Sequence, residues 1–209
     1  PDHFSIGFFK KYKDLIKNQN ITILFQQTKD KRVKSFFINN GFNFIEIEFK
    51  QSFALSANFK ITCFKDGFYD SALFIETNDK KILNLNDCVI KTEKRAKEIY
   101  EITGDCDILL TQFSYAAWKG GSENSAWRKL AAKDKLDAII LQARVFKAKF
   151  VIPFASFIYF SNKYNFYLND SINLPSHVIE ILSDSDSKAI IMKPFDVFDG
   201  KVSEKKLQT

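Results

Sequence analysis

The chain has 209 residues, of which 45% are hydrophobic and 23 are Phe, and this composition predicts one packed globular domain rather than disorder. The formal net charge of +6 is spread over separate groups of Lys and Arg with the spacing of solvated helix faces, which argues against a nucleic-acid surface. No run reaches the about 18 apolar residues of a membrane span, and no signal-peptide pattern opens the chain, so no membrane partner is predicted.

The three cysteines, Cys63, Cys88 and Cys106, are scattered and show no C-x-x-C spacing. They therefore indicate neither a zinc knuckle nor a disulfide framework. Thiols of this kind behave as small hydrophobic residues in a reducing compartment. A cytoplasmic location is the corresponding prediction.

The first fifty residues alternate between helical and strand patterns. The predicted elements are a helix over 6–18 capped by Ser5, a strand over 21–25, a helix over 30–40 ending near Gly41, and a strand over 42–49. Helices alternating with strands in this way indicate a layered α/β fold.

The rest of the chain contains short strands on tight connections and then longer helices. The predicted strands are 53–55, 59–64, 71–77, 82–85, 107–111, 151–160 and 189–192, and the predicted helices are 92–102, 125–149 and 175–182. We expect a single domain over 1–209, with a flexible tail over 200–209.

The stretch 70–88, DSALFIETNDKKILNLNDC, predicts two strands joined by a tight turn, with Asp87 directly after the second strand. A carboxylate beside a hydrophobic run needs donors or a cation to compensate it. Asp87 is therefore either a cap that accepts backbone N–H groups before the next helix or a ligand in a functional site.

The loop after the strand over 107–111 brings together Gln112, Tyr115 and Trp118 ahead of Gly120 and Gly121. Glycine backbone next to a helix N-terminus can bind a phosphate or a carboxylate. These three side chains are predicted to contact substrate; the alternative is that both aromatic residues belong to the core.

Several of these stretches resemble the metallo-β-lactamase superfamily. ILNLNDC (82–88) resembles its strand-plus-aspartate element, and PDHFS (1–5) resembles the end of its H-x-H-x-D-H motif. Residues 107–121 and 151–170 are similar to the branch that contains CMP-N-acetylneuraminate hydroxylases. The resemblance extends with gaps from Pro1 to about Phe195, and it implies an αββα sandwich that is partial because its N-terminal strands are missing.

The resemblance also implies a divalent metal, zinc or else iron or manganese. Asp2 and His3 match ligands of the second metal, Asp87 matches the bridging ligand, and Asp2 is the predicted catalytic carboxylate. The first two histidines of the motif are absent, and residues 66–70 contain no His where the family has one. Asn162 lies where relatives carry a His-Glu pair; because an amide cannot act as a general base, its predicted role is substrate binding.

The implied function is metal-dependent hydrolysis of a small anionic substrate that resembles a nucleotide or a sugar. The alternative is a catalytically inactive remnant that serves as a binding or assembly module. A sandwich without its first strands would expose a strand edge and an apolar face. We therefore expect a homo-oligomer, or a protein partner that supplies the missing strands.

Overall fold

A computed structural model describes residues 4–200 of the chain. Its strands are β1 (Thr22–Gln26), β2 (Asn43–Ile47), β3 (Ser52–Ser56), β4 (Phe59–Asp66), β5 (Asp70–Thr77), β6 (Lys81–Asn86), β7 (Ile108–Thr111), β8 (Phe150–Pro153) and β9 (Lys188–Ala189). Its helices are α1 (Ile6–Lys11), α2 (Lys13–Asn18), α3 (Arg32–Asn39), α4 (Glu93–Thr103), α5 (Ser125–Phe146) and α6 (Pro175–Ile181), with a 3₁₀ helix over Phe166–Ser171.

The strands form two sheets. Strands β3 to β9 form a seven-stranded sheet in chain order, while β1 and β2 pair in parallel as a separate two-stranded sheet. Strands β3 to β6 are antiparallel, because each is joined to the next by a short turn. From β6 onward the strands are parallel, since α4, α5 and α6 lie in the connections.

The large sheet buries both of its faces, as the alternation of side chains along β4 and β5 requires. Ile61 and Cys63 face the two-stranded sheet and pack near Ile47 of β2. Phe64 and Phe74 face the opposite way, into the core that also holds residues of α4, α5 and α6.

A cluster of aromatic residues covers the outer face of the two-stranded sheet. Phe37 of α3 is buried, and its ring lies 4.7 to 5.6 Å from five other Phe rings, namely those of Phe4, Phe9, Phe36, Phe42 and Phe44. The layers are therefore helices, small sheet, large sheet and helices. The predicted αββα order is confirmed.

Local departures from the predicted elements have backbone causes. The helix over 6–18 is interrupted at Tyr12, whose φ of −103° and ψ of 15° are not helical. The strand over 151–160 ends at Pro153, which has no N–H for the ladder, and Ala155 then takes a φ of +57°. The 3₁₀ helix was not predicted.

None of the helices within residues 4–200 is both long and apolar enough to cross a bilayer. Apart from Gly200, the predicted tail over 200–209 lies outside the described residues.

Phe37→Ala should lower the free energy of unfolding by about 3–5 kcal/mol, because it removes a buried ring from among five others and leaves a cavity. Urea denaturation measures the change. Ile38→Ala is the matched control: Ile38 is the next residue of the same helix, and its side chain is exposed. Equal losses in the two variants would contradict this account of the aromatic cluster.

Candidate functional site

The carboxyl ends of three parallel strands meet at one edge of the large sheet. Asp87 directly follows β6, Gln112 directly follows β7, and Ala155 comes two residues after β8. These three residues line one cavity of about 730 Å³. An open α/β sheet binds its ligands at this edge, because the loops that follow parallel strands converge there.

One wall of the cavity is a face of helix α5. Trp127, Leu130, Ala131, Asp134 and Lys135 all line the cavity. They follow the spacing i, i+3, i+4, i+7 and i+8, which places them on one side of a helix. The C-terminal half of α5 enters the main core through Ile139, Ala143 and Phe146.

Buried polar side chains hold α5 against the loop after β7. The amide nitrogen of Asn173 donates to the carbonyl oxygen of Phe113 at 2.8 Å and to that of Ala132 in α5 at 2.7 Å. Gln142 of α5 accepts from the Thr111 hydroxyl at 2.7 Å and donates to the Ile90 carbonyl at 2.9 Å. Because buried polar groups need such partners, these bonds fix the position of the cavity wall.

At the floor of the cavity an amide bridges an anion and a cation. The side-chain nitrogen of Gln112 donates to Asp87 Oδ1, and Lys135 Nζ donates to Gln112 Oε1. The two bonds fix the orientation of the amide. Among the described residues, the hydrogen-bonded link between Lys135 and Asp87 runs through Gln112.

The cavity carries an excess of positive charge. Its lining contains Lys91, Lys119 and Lys135 but only two carboxylates, Asp87 and Asp134, and Asp134 is already paired with Lys91 at 3.4 Å. Burial lowers the pKa of Lys135, the positive charges of Lys91 and Lys119 lower it further, and the negative charges of Asp87 and Asp134 oppose the shift. Because the pKa is lowered on balance, the two carboxylates compensate the ammonium group of Lys135 only in part.

A buried arginine holds the loop that borders the cavity. Arg128 is 0% exposed, and two of its nitrogens contact the carboxylate of Asp170 at 2.8 and 2.6 Å. It also donates to the carbonyls of Gly121 and Ser122 at 2.6 and 3.0 Å. The Gly121 N–H donates to Asn124 Oδ1 at 2.8 Å, so this part of the predicted anion-binding loop is used internally.

The predicted substrate contacts are only partly brought together. Gln112 and Tyr115 line the cavity with Asp87, although Tyr115 is buried and its hydroxyl donates to the Leu168 carbonyl at 2.5 Å. Trp118 is 62% exposed and lies outside the lining; its ring stands edge-on to Trp127, 5.6 Å away. Asn162 is also exposed and outside the lining, where its Oδ1 accepts from the Tyr164 N–H at 2.9 Å.

Of the three predicted metal ligands, Asp87 lies within the described residues, whereas Asp2 and His3 lie outside them. Asp87 accepts a hydrogen bond from Gln112. Asp66 belongs to the segment 66–70 where the family has a His, and its Oδ2 accepts the Val89 N–H at 2.8 Å. Within residues 4–200, no group of three or more His, Cys, Asp or Glu residues could hold a metal ion. The described side chains therefore do not fit the metal centre that the resemblance implies.

Sequence reasoning missed the contribution of α5 to this site. The helix was predicted over 125–149, but no site role was assigned to any of its residues. The signal was the spacing WxxLAxxDK over 127–135, which places a mixed apolar and charged set of side chains on one face.

No protein-family model matches this sequence, and comparison with curated proteins finds no match. Solved structures do resemble the fold. A CmlA β-hydroxylase E377D mutant has a TM-score of 0.59 at 8% identity over 82% of this chain, and CmlA from Streptomyces venezuelae, titled a diiron β-hydroxylase, has 0.57 at 8% over 80%. The match spans only 38% of either CmlA chain.

The metallo-β-lactamase fold protein YhfI from Bacillus subtilis is 13% identical over 91% of this chain and 72% of its own, with a TM-score of 0.48. At these identities a likeness concerns the fold alone. The chain has the layered α/β fold that the sequence predicted, with helices outside two packed sheets, and this fold is similar to that of the CmlA structures.

The Arg128–Asp170 ion pair should make part of the stability depend on pH. Arg128 holds the pKa of Asp170 below its ordinary value of 3.8. The stabilisation is therefore present above pH 3.8 and is lost as the pH falls through the lower pKa of the folded state. Asp170→Asn should lower the urea midpoint at pH 6, and the difference from the unaltered chain should shrink at lower pH.

Glu101→Gln is the matched control for this experiment, because it makes the same carboxylate-to-amide change at an exposed position of α4. It should leave the urea midpoint nearly unchanged. A difference between Asp170→Asn and the unaltered chain that stays constant from pH 6 to pH 3 would contradict the proposed charge dependence.

Proposed function

We propose that this chain is a metallo-β-lactamase-like domain that binds a small anionic organic molecule in the cavity beside β6, β7 and β8. The observation that carries the proposal is Lys135. Among residues 4–200, no carboxylate lies within ion-pair distance of its Nζ, whose described contact is the Gln112 amide oxygen. A partly buried ammonium group is costly without an anion, and a bound anion would supply that compensation.

The other charges of the cavity support the same conclusion. Asp87 is engaged by Gln112, and Asp134 by Lys91, so the lining leaves Lys119 and Lys135 to attract a ligand. The volume of about 730 Å³ falls within the range of small-molecule sites, about 300–1,000 Å³. The ligand is therefore an organic molecule rather than a single small ion.

Lys135→Met should weaken the binding of phenyl phosphate by about tenfold, which corresponds to about 1.4 kcal/mol. Isothermal titration calorimetry measures the affinity. Lys133→Met is the matched control: Lys133 lies on the same helix but is exposed and paired with Asp137 at 2.5 Å. If the unaltered chain binds neither phenyl phosphate nor glucose 6-phosphate, or if the two variants bind the probe that does bind equally well, the proposed function is wrong.

Metal-dependent hydrolysis is the second candidate. It is supported by the position of Asp87, which follows β6 and lines the cavity as the resemblance expects of a bridging ligand. CmlA, with a similar fold, is titled a diiron enzyme. The narrower resemblance to the CMP-N-acetylneuraminate hydroxylase branch supports metal-dependent hydrolysis. Anion binding without turnover corresponds instead to the alternative of a catalytically inactive remnant.

Metal analysis separates the two candidates. The described residues offer fewer ligands than the three or four protein groups of an ordinary zinc site. We therefore expect well below one equivalent of zinc or iron in protein dialysed against metal-free buffer. A full, tightly held equivalent that is lost in Asp87→Asn would favour the hydrolase. The association of the chain with a second copy or a protein partner stays a prediction.

A further inference from the structure

The cavity has two chemically different ends. Trp127, Leu130 and Ala131 form an apolar wall at the N-terminal half of the α5 face, and Asp134 and Lys135 follow on the same face. With a rise of about 1.5 Å per residue, Trp127 and Lys135 are about 12 Å apart along the helix axis. A ligand that reaches both ends must therefore be longer than an inorganic anion.

The apolar end is exposed although its side chains are large. Trp127 is 46% exposed and Leu130 is 58% exposed. The ring of Trp118 stands perpendicular to that of Trp127, at an interplanar angle of 88°. This edge-to-face contact orients the Trp127 indole, which can offer an apolar surface to a ligand at little further cost in side-chain entropy.

The indole N–H of Trp127 is the one hydrogen-bonding side-chain group among the described residues of the apolar end. Ala116, Ala117 and Ala131 line the cavity beside Leu130. The nearby Tyr115 hydroxyl already donates to the Leu168 carbonyl. A sugar ring packed against this wall would find one donor for its several hydroxyl groups, whereas an aromatic ring needs none.

We propose that the ligand is an aryl anion, in which an aromatic ring packs against Trp127 and Leu130 while a phosphate or carboxylate group lies near Lys135 and Lys119. The proposal rests on the proposed function, because it requires the lysine end of the cavity to bind the anion. It adds the chemical class of the organic group to which the anionic group is attached. Apolar contact and ring packing favour the ring, and the lysines favour the charged group.

Calorimetric titration with three probes that carry the same charged group tests the proposal. We expect phenyl phosphate to bind at least tenfold more tightly than glucose 6-phosphate or inorganic phosphate. Trp127→Ala and Leu130→Ala should each weaken phenyl phosphate about five- to tenfold and leave inorganic phosphate unchanged. Ile140→Ala, which removes an exposed apolar side chain from the same helix outside the cavity lining, should change neither affinity.

The outcomes separate this inference from the function on which it rests. If all three probes bind equally and Lys135→Met weakens all of them, the anion site stands and the aryl class is overturned. Tighter binding of glucose 6-phosphate would also overturn it. If none of the probes binds, the proposed function fails, and the inference fails with it. Circular dichroism of each variant checks that the fold is retained.

Discussion

The change from antiparallel to parallel pairing at β6 is the constraint on which the site depends. Antiparallel strands place successive connections at opposite edges of a sheet, whereas parallel strands place the residues after each strand at the same edge. Because β6, β7 and β8 run in parallel, Asp87, Gln112 and Ala155 come to one cavity from positions far apart in the chain. The crossover helix α5 then forms one wall of that cavity, since it must pass beside the strands that it connects.

The polar groups around this edge are arranged in two different ways. Arg128 satisfies its charge within the protein, through Asp170 and two backbone carbonyls, so it holds the bordering loop in place. Lys135 lies seven residues further along α5 and has only an amide oxygen as its described contact. The first cation is therefore structural. The second is the cation on which the proposed binding of an anion depends.

The sequence predicted the parts of the fold that local patterns determine. Strands β4, β5 and β6 were found from their alternation and turns, and Asp87, Gln112 and Tyr115 were selected because they follow strands. The break at Tyr12 and the early end of β8 were missed, since hydrophobic patterns do not report single backbone dihedrals. The cavity face of α5 was missed for another reason: the spacing of 127–135 groups these residues on one face, but it does not reveal whether that face lines a cavity or packs in the core.

The hydrogen bonding of Asp87 links these observations to chemistry. Gln112 has one donor group and one acceptor group, and it uses the donor on Asp87 and the acceptor on Lys135. If Asp87 turned toward another ligand, the amide would lose its acceptor, and its hold on Lys135 would weaken. The choice of hydrogen-bond partner by Asp87 and the orientation of Lys135 are thus coupled through the Gln112 side chain. A change at Asp87 or at Lys135 would therefore alter the hydrogen bond that the other residue makes with Gln112. For this reason Gln112, rather than either charged group, is the residue that defines the present arrangement of the cavity floor.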